Sequence, residues 1–157
     1  MRNYVPAAIV LIAQLAGTPA DAADSAVVST LLGNWGGSGR VQYTDGSSDS
    51  IRCTAYYTGG GSELNMAIQC QSQTQPIHVR SRLKVDGARA TGDWEERTYN
   101  VNGSATGRTT GDGLSLELKG GGFTGNMAVS FSKSQHSVNI TTQGIGMSRA
   151  SISLNRR

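Results

Sequence analysis

The stretch Ile77-His78-Val79-Arg80-Ser81-Arg82-Leu83-Lys84-Val85, followed by Asp86-Gly87, decides the fold of this chain. Successive side chains of a strand point to opposite faces, so Ile77, Val79, Leu83 and Val85 share one face and His78, Arg80, Arg82 and Lys84 the other. One apolar and one charged face at a period of two describe a half-buried antiparallel strand. Asp-Gly is a favoured two-residue hairpin turn, and the chain is expected to return over Ala88 to Thr98.

The same rhythm runs outward in both directions. Upstream lie expected strands at Trp35 to Tyr43, Asp49 to Tyr57 and Glu63 to Gln71, with Asp45-Gly46 and Gly59-Gly60-Gly61 between them. Downstream come Ser104 to Thr109, Leu114 to Lys119, Phe123 to Ser132, Ser137 to Thr142 and Ser148 to Asn155. Strands at intervals of roughly 8–12 residues with turn residues between them indicate a sandwich or a barrel. Glycine supplies 21 of 157 residues, roughly twice the usual share of about 7%, which disfavours helix and suits turns and bulges. The fold expected is therefore all-β and antiparallel, an up-and-down barrel with a β-sandwich as the alternative.

The two cysteines test the register. A hairpin pairing residues whose numbers sum to 123 sets Cys53 against Cys70, Ala55 against Ile68 and Tyr57 against Met66, all on one face. Directly opposed strand residues are close enough for a disulfide, and an even cysteine count in an exported chain makes pairing the default. No CxxC motif is present and the spacing lacks the paired ligands of a zinc site, so the bridge is expected to be structural, with no metal or other cofactor.

Export is expected from the first residues. Arg2, an apolar run from Val5 to Leu15 and then Ala20-Asp21-Ala22 have the order of a signal peptide, cleaved near Ala22. Residues 1–22 are thus a leader and 23–157 one all-β domain, periplasmic or secreted. No later stretch has the length and apolarity of a transmembrane helix. The net charge of +3 is mild and reads first as a bland basic surface; it could favour an acidic polysaccharide, a lipopolysaccharide phosphate or a nucleic acid, and nucleic acid is not the expected partner.

Gly33-Asn34-Trp35 and Gly92-Asp93-Trp94 contain both tryptophans. The first resembles the Gly-x-Trp entry strand of the calycins, which implies a barrel of eight or so strands, closed by Trp35 and Trp94, that packs solid or holds one small apolar ligand. Recognisable partners to the later lipocalin strand motifs are missing. Trp35-Gly36-Gly37-Ser38-Gly39, Ile51-Arg52-Cys53, Cys70 and Gly92-Asp93-Trp94-Glu95 together resemble a group of uncharacterised small exported β-rich proteins of Gram-negative bacteria. That likeness implies localisation and fold, not activity.

Candidate binding residues are Arg52, Arg80, Arg82 and Arg97, with Arg108 and the aromatic Tyr56, because outward cations on consecutive strands can form a stripe for phosphates or charged glycans. Glu63, Glu95 and Glu117 lie on the same strands, and cross-strand ion pairing is the competing account. Neighbours Glu95 and Glu96 point to opposite faces, cannot both flank one bond, and are expected as solvated surface charge. His78 and His136 have no evident partner and are expected to be exposed. The sequons at Asn102 and Asn139 would be ignored by a bacterial exporter.

These residues point to a non-catalytic binding protein, not an enzyme, whose ligand is met at the loops Gly59-Gly61, Gly111-Gly113 or Gly120-Gly122. The partner would be a small apolar ligand, an anionic glycan or an envelope protein. Three alternatives stand beside it: a protease-inhibitor-like recognition module using a free segment Asp24 to Thr30, an enzyme acting on envelope polysaccharide, and a structural envelope protein.

Overall fold

The computed structural model describes residues 20–157, with side chains from Ala26 onward. The expected leader lies outside the described residues except for its last three, which open helix α1 (Ala20–Leu31). Ten strands follow: β1 (Gly33–Tyr43), β2 (Ser48–Gly60), β3 (Glu63–Gln71), β4 (Pro76–Asp86), β5 (Arg89–Glu96), β6 (Val101–Thr110), β7 (Gly113–Gly120), β8 (Phe123–Phe131), β9 (Gln135–Gln143) and β10 (Met147–Arg156). Each pairs antiparallel with its sequence neighbour, and β1 pairs with β10, which closes the barrel. Closure removes both sheet edges and decides between barrel and sandwich. The barrel has ten strands where the calycin likeness implied eight or so.

The β2/β3 ladder has the register read from the sequence, with Cys53 opposite Cys70, Ala55 opposite Ile68 and Tyr57 opposite Met66. Cys53 and Cys70 are joined, their Cα atoms 4.1 Å apart. Along each strand burial alternates, and all ten strands send side chains into one core, from Trp35 and Tyr57 through Leu64, Leu83, Trp94, Ala105, Leu116, Val129 and Val138 to Leu154. Tight curvature depends on missing side chains. A Cβ at Gly92 would run into the Arg82 carbonyl on β4, so β4 and β5 approach each other there only because the residue is glycine.

Helix α1 is the element that the strand rhythm did not announce. Its Ala-rich sequence is a good helix former, and Val28 and Leu31, one turn apart, share a face and are fully buried. Gly33 at φ +125° then turns the chain into β1. The expectation of a free segment Asp24 to Thr30 is corrected. These residues lie in α1, because burying a Val and a Leu side chain is worth about 1.5–3 kcal/mol each, which an undocked segment would forgo.

Candidate functional site

Strand polarity brings the starts of β1, β3, β5, β7 and β9 to the barrel end that α1 covers. Trp35 enters from β1, Tyr57 from β2, His136 from β9 and Arg156 from β10. The Tyr57 hydroxyl lies 3.2 Å from His136 Nε2, and the Trp35 ring meets the imidazole edge-on with centroids 4.3 Å apart. His136 Nδ1 is buried without a hydrogen-bond partner. The Arg156 guanidinium stacks 4.2 Å above the Trp35 ring.

Arg156 also fastens the helix. It donates from Nη2 to the Thr30 carbonyl, from Nη1 to the Leu32 carbonyl and from Nε to the Lys133 carbonyl, each at 2.8 Å. Trp35 Nε1 donates to the Leu31 carbonyl at 2.8 Å. Carbonyls at a helix C-terminus lack intrahelical partners and carry partial negative charge, so a cation and an indole N–H are suited to them. Burial, reinforced by the positive charge of Arg156, holds the His136 imidazolium down to a pKa of about 4, from an ordinary 6.5. Burial alone pushes the Tyr57 phenol well above its usual 10.

The opposite end is tied by Glu96. Its Oε1 accepts from the His78 backbone N–H at 2.8 Å and its Oε2 from that of Tyr99 at 2.7 Å. Trp94 sits nearby, its ring 5.0 Å from Phe123 and its Nε1 donating to the Ser104 carbonyl at 3.1 Å.

Outside the barrel, on the wall formed by β1 to β3, lies a groove of about 430 Å³ lined by Asn34, Thr54, Tyr56, Ala67, Gln69 and Arg157. Its floor is low because Ala67 faces Tyr56 across the ladder and Gly36 has no side chain at all. Arg157 lays its guanidinium over Gly36, where a Cβ would overlap it, and its backbone N–H donates to the Asn34 carbonyl at 2.9 Å. Tyr56 is 54% exposed, so its ring is free to meet a ligand. Strand alternation splits the two terminal arginines, sending Arg156 to the helix seat and Arg157 to this groove.

The candidate arginines lie on the outer face as expected, but they do not converge. Tyr56 lines the groove. Arg52 lies four residues before it on β2, opposite Ser38 and Gln71, and Arg80 is opposite Ala67 on one side and Glu95 on the other. Arg82 is opposite Asp93, and Arg97 ion-pairs with Glu95 at 3.8 Å. Arg108 lies between Arg89 and Ser115. Among the described residues, no group of three or more His, Cys, Asp or Glu side chains is placed to hold a metal ion.

Two expectations are corrected. Glu96 is buried, not solvated, because it shares the inward parity of Gly92 and Trp94; Glu95 is exposed. His136 is buried at 1% exposure and has a tyrosine partner. Its parity with Val138 and Ile140 carried that signal, but only if β9 starts at Gln135, two residues before the strand expected there. Arg156 and Arg157 carried no motif.

The closed antiparallel barrel, with its tryptophan-bearing entry strand and apolar core, has a calycin-like β-barrel fold. No family model matches the chain, and no curated protein sequence matches it. Among solved structures it is similar to Rv2717c from M. tuberculosis, at 17% identity over 89% of this chain and 98% of that one, with a TM-score of 0.72. It is also similar to the S-type phycobiliprotein lyase CPES from Guillardia theta, at 11% identity over 83% and 90%, with a TM-score of 0.62. The expectation that the chain is not an enzyme is overturned by the second neighbour, since a barrel of this fold is the body of a lyase. A missing catalytic motif therefore does not exclude catalysis on this scaffold.

Proposed function

We propose that the protein is an exported binding protein that holds a small anionic ligand, specifically a short acidic glycan, in the groove across β1 to β3. One observation carries this reading: an exposed Tyr56 ring and the Arg157 guanidinium share a groove whose lining includes no Asp or Glu side chain. An aromatic ring presents a flat apolar face to the C–H side of a sugar, and a guanidinium binds a carboxylate or sulfate through two parallel hydrogen bonds. Asn34, Thr54 and Gln69 supply neutral hydrogen-bonding groups for hydroxyls. Arg52 flanks the groove, whereas Arg80, Arg82 and Arg97, each facing an acid, add only to the general field. The barrel interior is lined by apolar side chains, so the outer wall is the better place for an anionic ligand.

Export is supported by the leader-like residues 1–22 and by a disulfide of the kind that persists in oxidising compartments. The likeness to exported Gram-negative proteins agrees with a periplasmic or secreted location.

Calorimetric titration with a uronic-acid disaccharide and with a neutral disaccharide of equal size tests the site. The acidic sugar is expected to bind, more weakly at high salt, and Tyr56→Ala to cost about tenfold in affinity. Unchanged affinity in Tyr56→Ala would remove the groove from consideration. A second reading, that the barrel acts on the ligand it binds, is prompted by the fold shared with a phycobiliprotein lyase, whose name speaks of no sugar. Mass spectrometry of the same mixtures for a changed sugar tests it.

A further inference from the structure

The helix seat suggests a function separate from the groove. We infer that α1 is a displaceable plug, released from the end of the barrel when His136 takes up a proton. The barrel itself is held by a closed ring of backbone ladders and a disulfide. The helix is not part of that ring. Its described attachments are the burial of Val28 and Leu31 and the side-chain hydrogen bonds from Trp35 and Arg156 to its last carbonyls.

His136 lies beneath that attachment. Its ring touches Trp35, the same ring on which Arg156 stacks, so a proton on His136 places a second cation against the residue that holds the helix. The ionisable groups facing His136 are Tyr57 from β2 and Arg156 from β10. Trp35 of β1 and Phe131, opposite it on β8, do not titrate, and side chains 26–31 of α1 include no ionisable group. Among the described residues, no acid is therefore placed there to receive the imidazolium. Nδ1, already buried without a partner, would then carry an N–H with no acceptor unless water reached it, while Nε2–H donates to the Tyr57 hydroxyl. Lifting the helix admits that water and frees the Arg156 guanidinium from the Thr30 and Leu32 carbonyls to turn away from the imidazolium, whereas opening a ladder of the closed barrel breaks many backbone hydrogen bonds.

With His136 titrating near 4 in the closed form and near 6.5 once hydrated, the docking equilibrium moves about two orders of magnitude toward release between pH 7 and pH 4. Hydrogen exchange followed by mass spectrometry tests this on the oxidised protein at pH 7, 5.5 and 4, after correction for intrinsic exchange. Peptides covering 26–32 are expected to lose protection at acid pH while those of β2, β3 and β7 keep it, and His136→Gln is expected to keep the helix protected throughout. Helix protection that does not change down to pH 4, joint loss with the strands, or the same acid release in a folded His136→Gln variant would each overturn the inference. Should His136→Gln fail to fold, an NMR titration of the native protein decides. The release midpoint must track the His136 titration, and a separation of more than about one pH unit sinks the proposal.

Discussion

The Tyr57 hydroxyl and His136 Nε2 stand 3.2 Å apart inside the barrel although 79 residues separate them in the chain. They are a buried pair of titratable side chains that the fold keeps neutral from both sides, since burial lowers the imidazolium pKa and raises that of the phenol. Stability should follow the imidazole. Between pH 6.5 and 4 the unfolded chain binds the His136 proton and the folded one does not, so stability rises with pH across that window. The contribution is full above pH 6.5 and is lost as pH falls through about 4, amounting to at most about 3 kcal/mol. Urea midpoints measured from pH 7.5 to 3.5 should decline in the native protein and flatten in His136→Gln; parallel curves would show that other groups carry the acid sensitivity.

Tyr57→Phe removes the one hydrogen-bond partner that the imidazole has among the described residues and leaves both ring nitrogens unpaired there. A cost of about 1–3 kcal/mol is expected, read from equilibrium denaturation at pH 7.5. In alkaline titration of the native protein, one tyrosine should ionise only as the barrel unfolds, and that spectral step should vanish in the variant.

Glu96→Gln keeps one acceptor oxygen but sets an amide NH₂ against a backbone N–H, either that of His78 or that of Tyr99. Hydrogen bonds to a charged group are worth about 1.5–3 kcal/mol, so a loss of about 2 kcal/mol is expected, with faster amide exchange at Tyr99. A variant as stable as the native protein would place little weight on this clamp.

Two glycine substitutions should separate backbone closeness from surface space. Gly92→Ala drives a methyl into the Arg82 carbonyl and should cost 2 kcal/mol or more, on the order of other strained core changes. Gly36→Ala meets only the movable end of Arg157 and should leave the melting temperature nearly unchanged while weakening acidic-sugar binding. Thermal melts and calorimetry of both variants check the contrast.

Reducing the Cys53–Cys70 bridge should lower stability by about 3 kcal/mol, the chain-entropy value for a closed loop of this size. Denaturation with and without reductant, at fixed pH, measures it. The barrel should remain folded, because the ladders on both sides of the bridge do not depend on it.

What the chain alone determined was everything local. The alternation around Ile77 to Val85 and its repeats located all ten strands, and the two cysteines in a two-strand hairpin fixed the β2/β3 register to the residue. A side-chain period and a short turn are properties of consecutive residues, so they are written in consecutive letters. The sites were not. Pairing of β1 with β10 carries Arg156 onto Trp35 and Arg157 onto Gly36, and barrel curvature brings His136 to Tyr57. Trp94 already implied that Glu96 turns inward, but only the closed end shows which amides its carboxylate reaches. Contacts between residues far apart in sequence depend on how the whole sheet curls and closes, and no local pattern of residues encodes that.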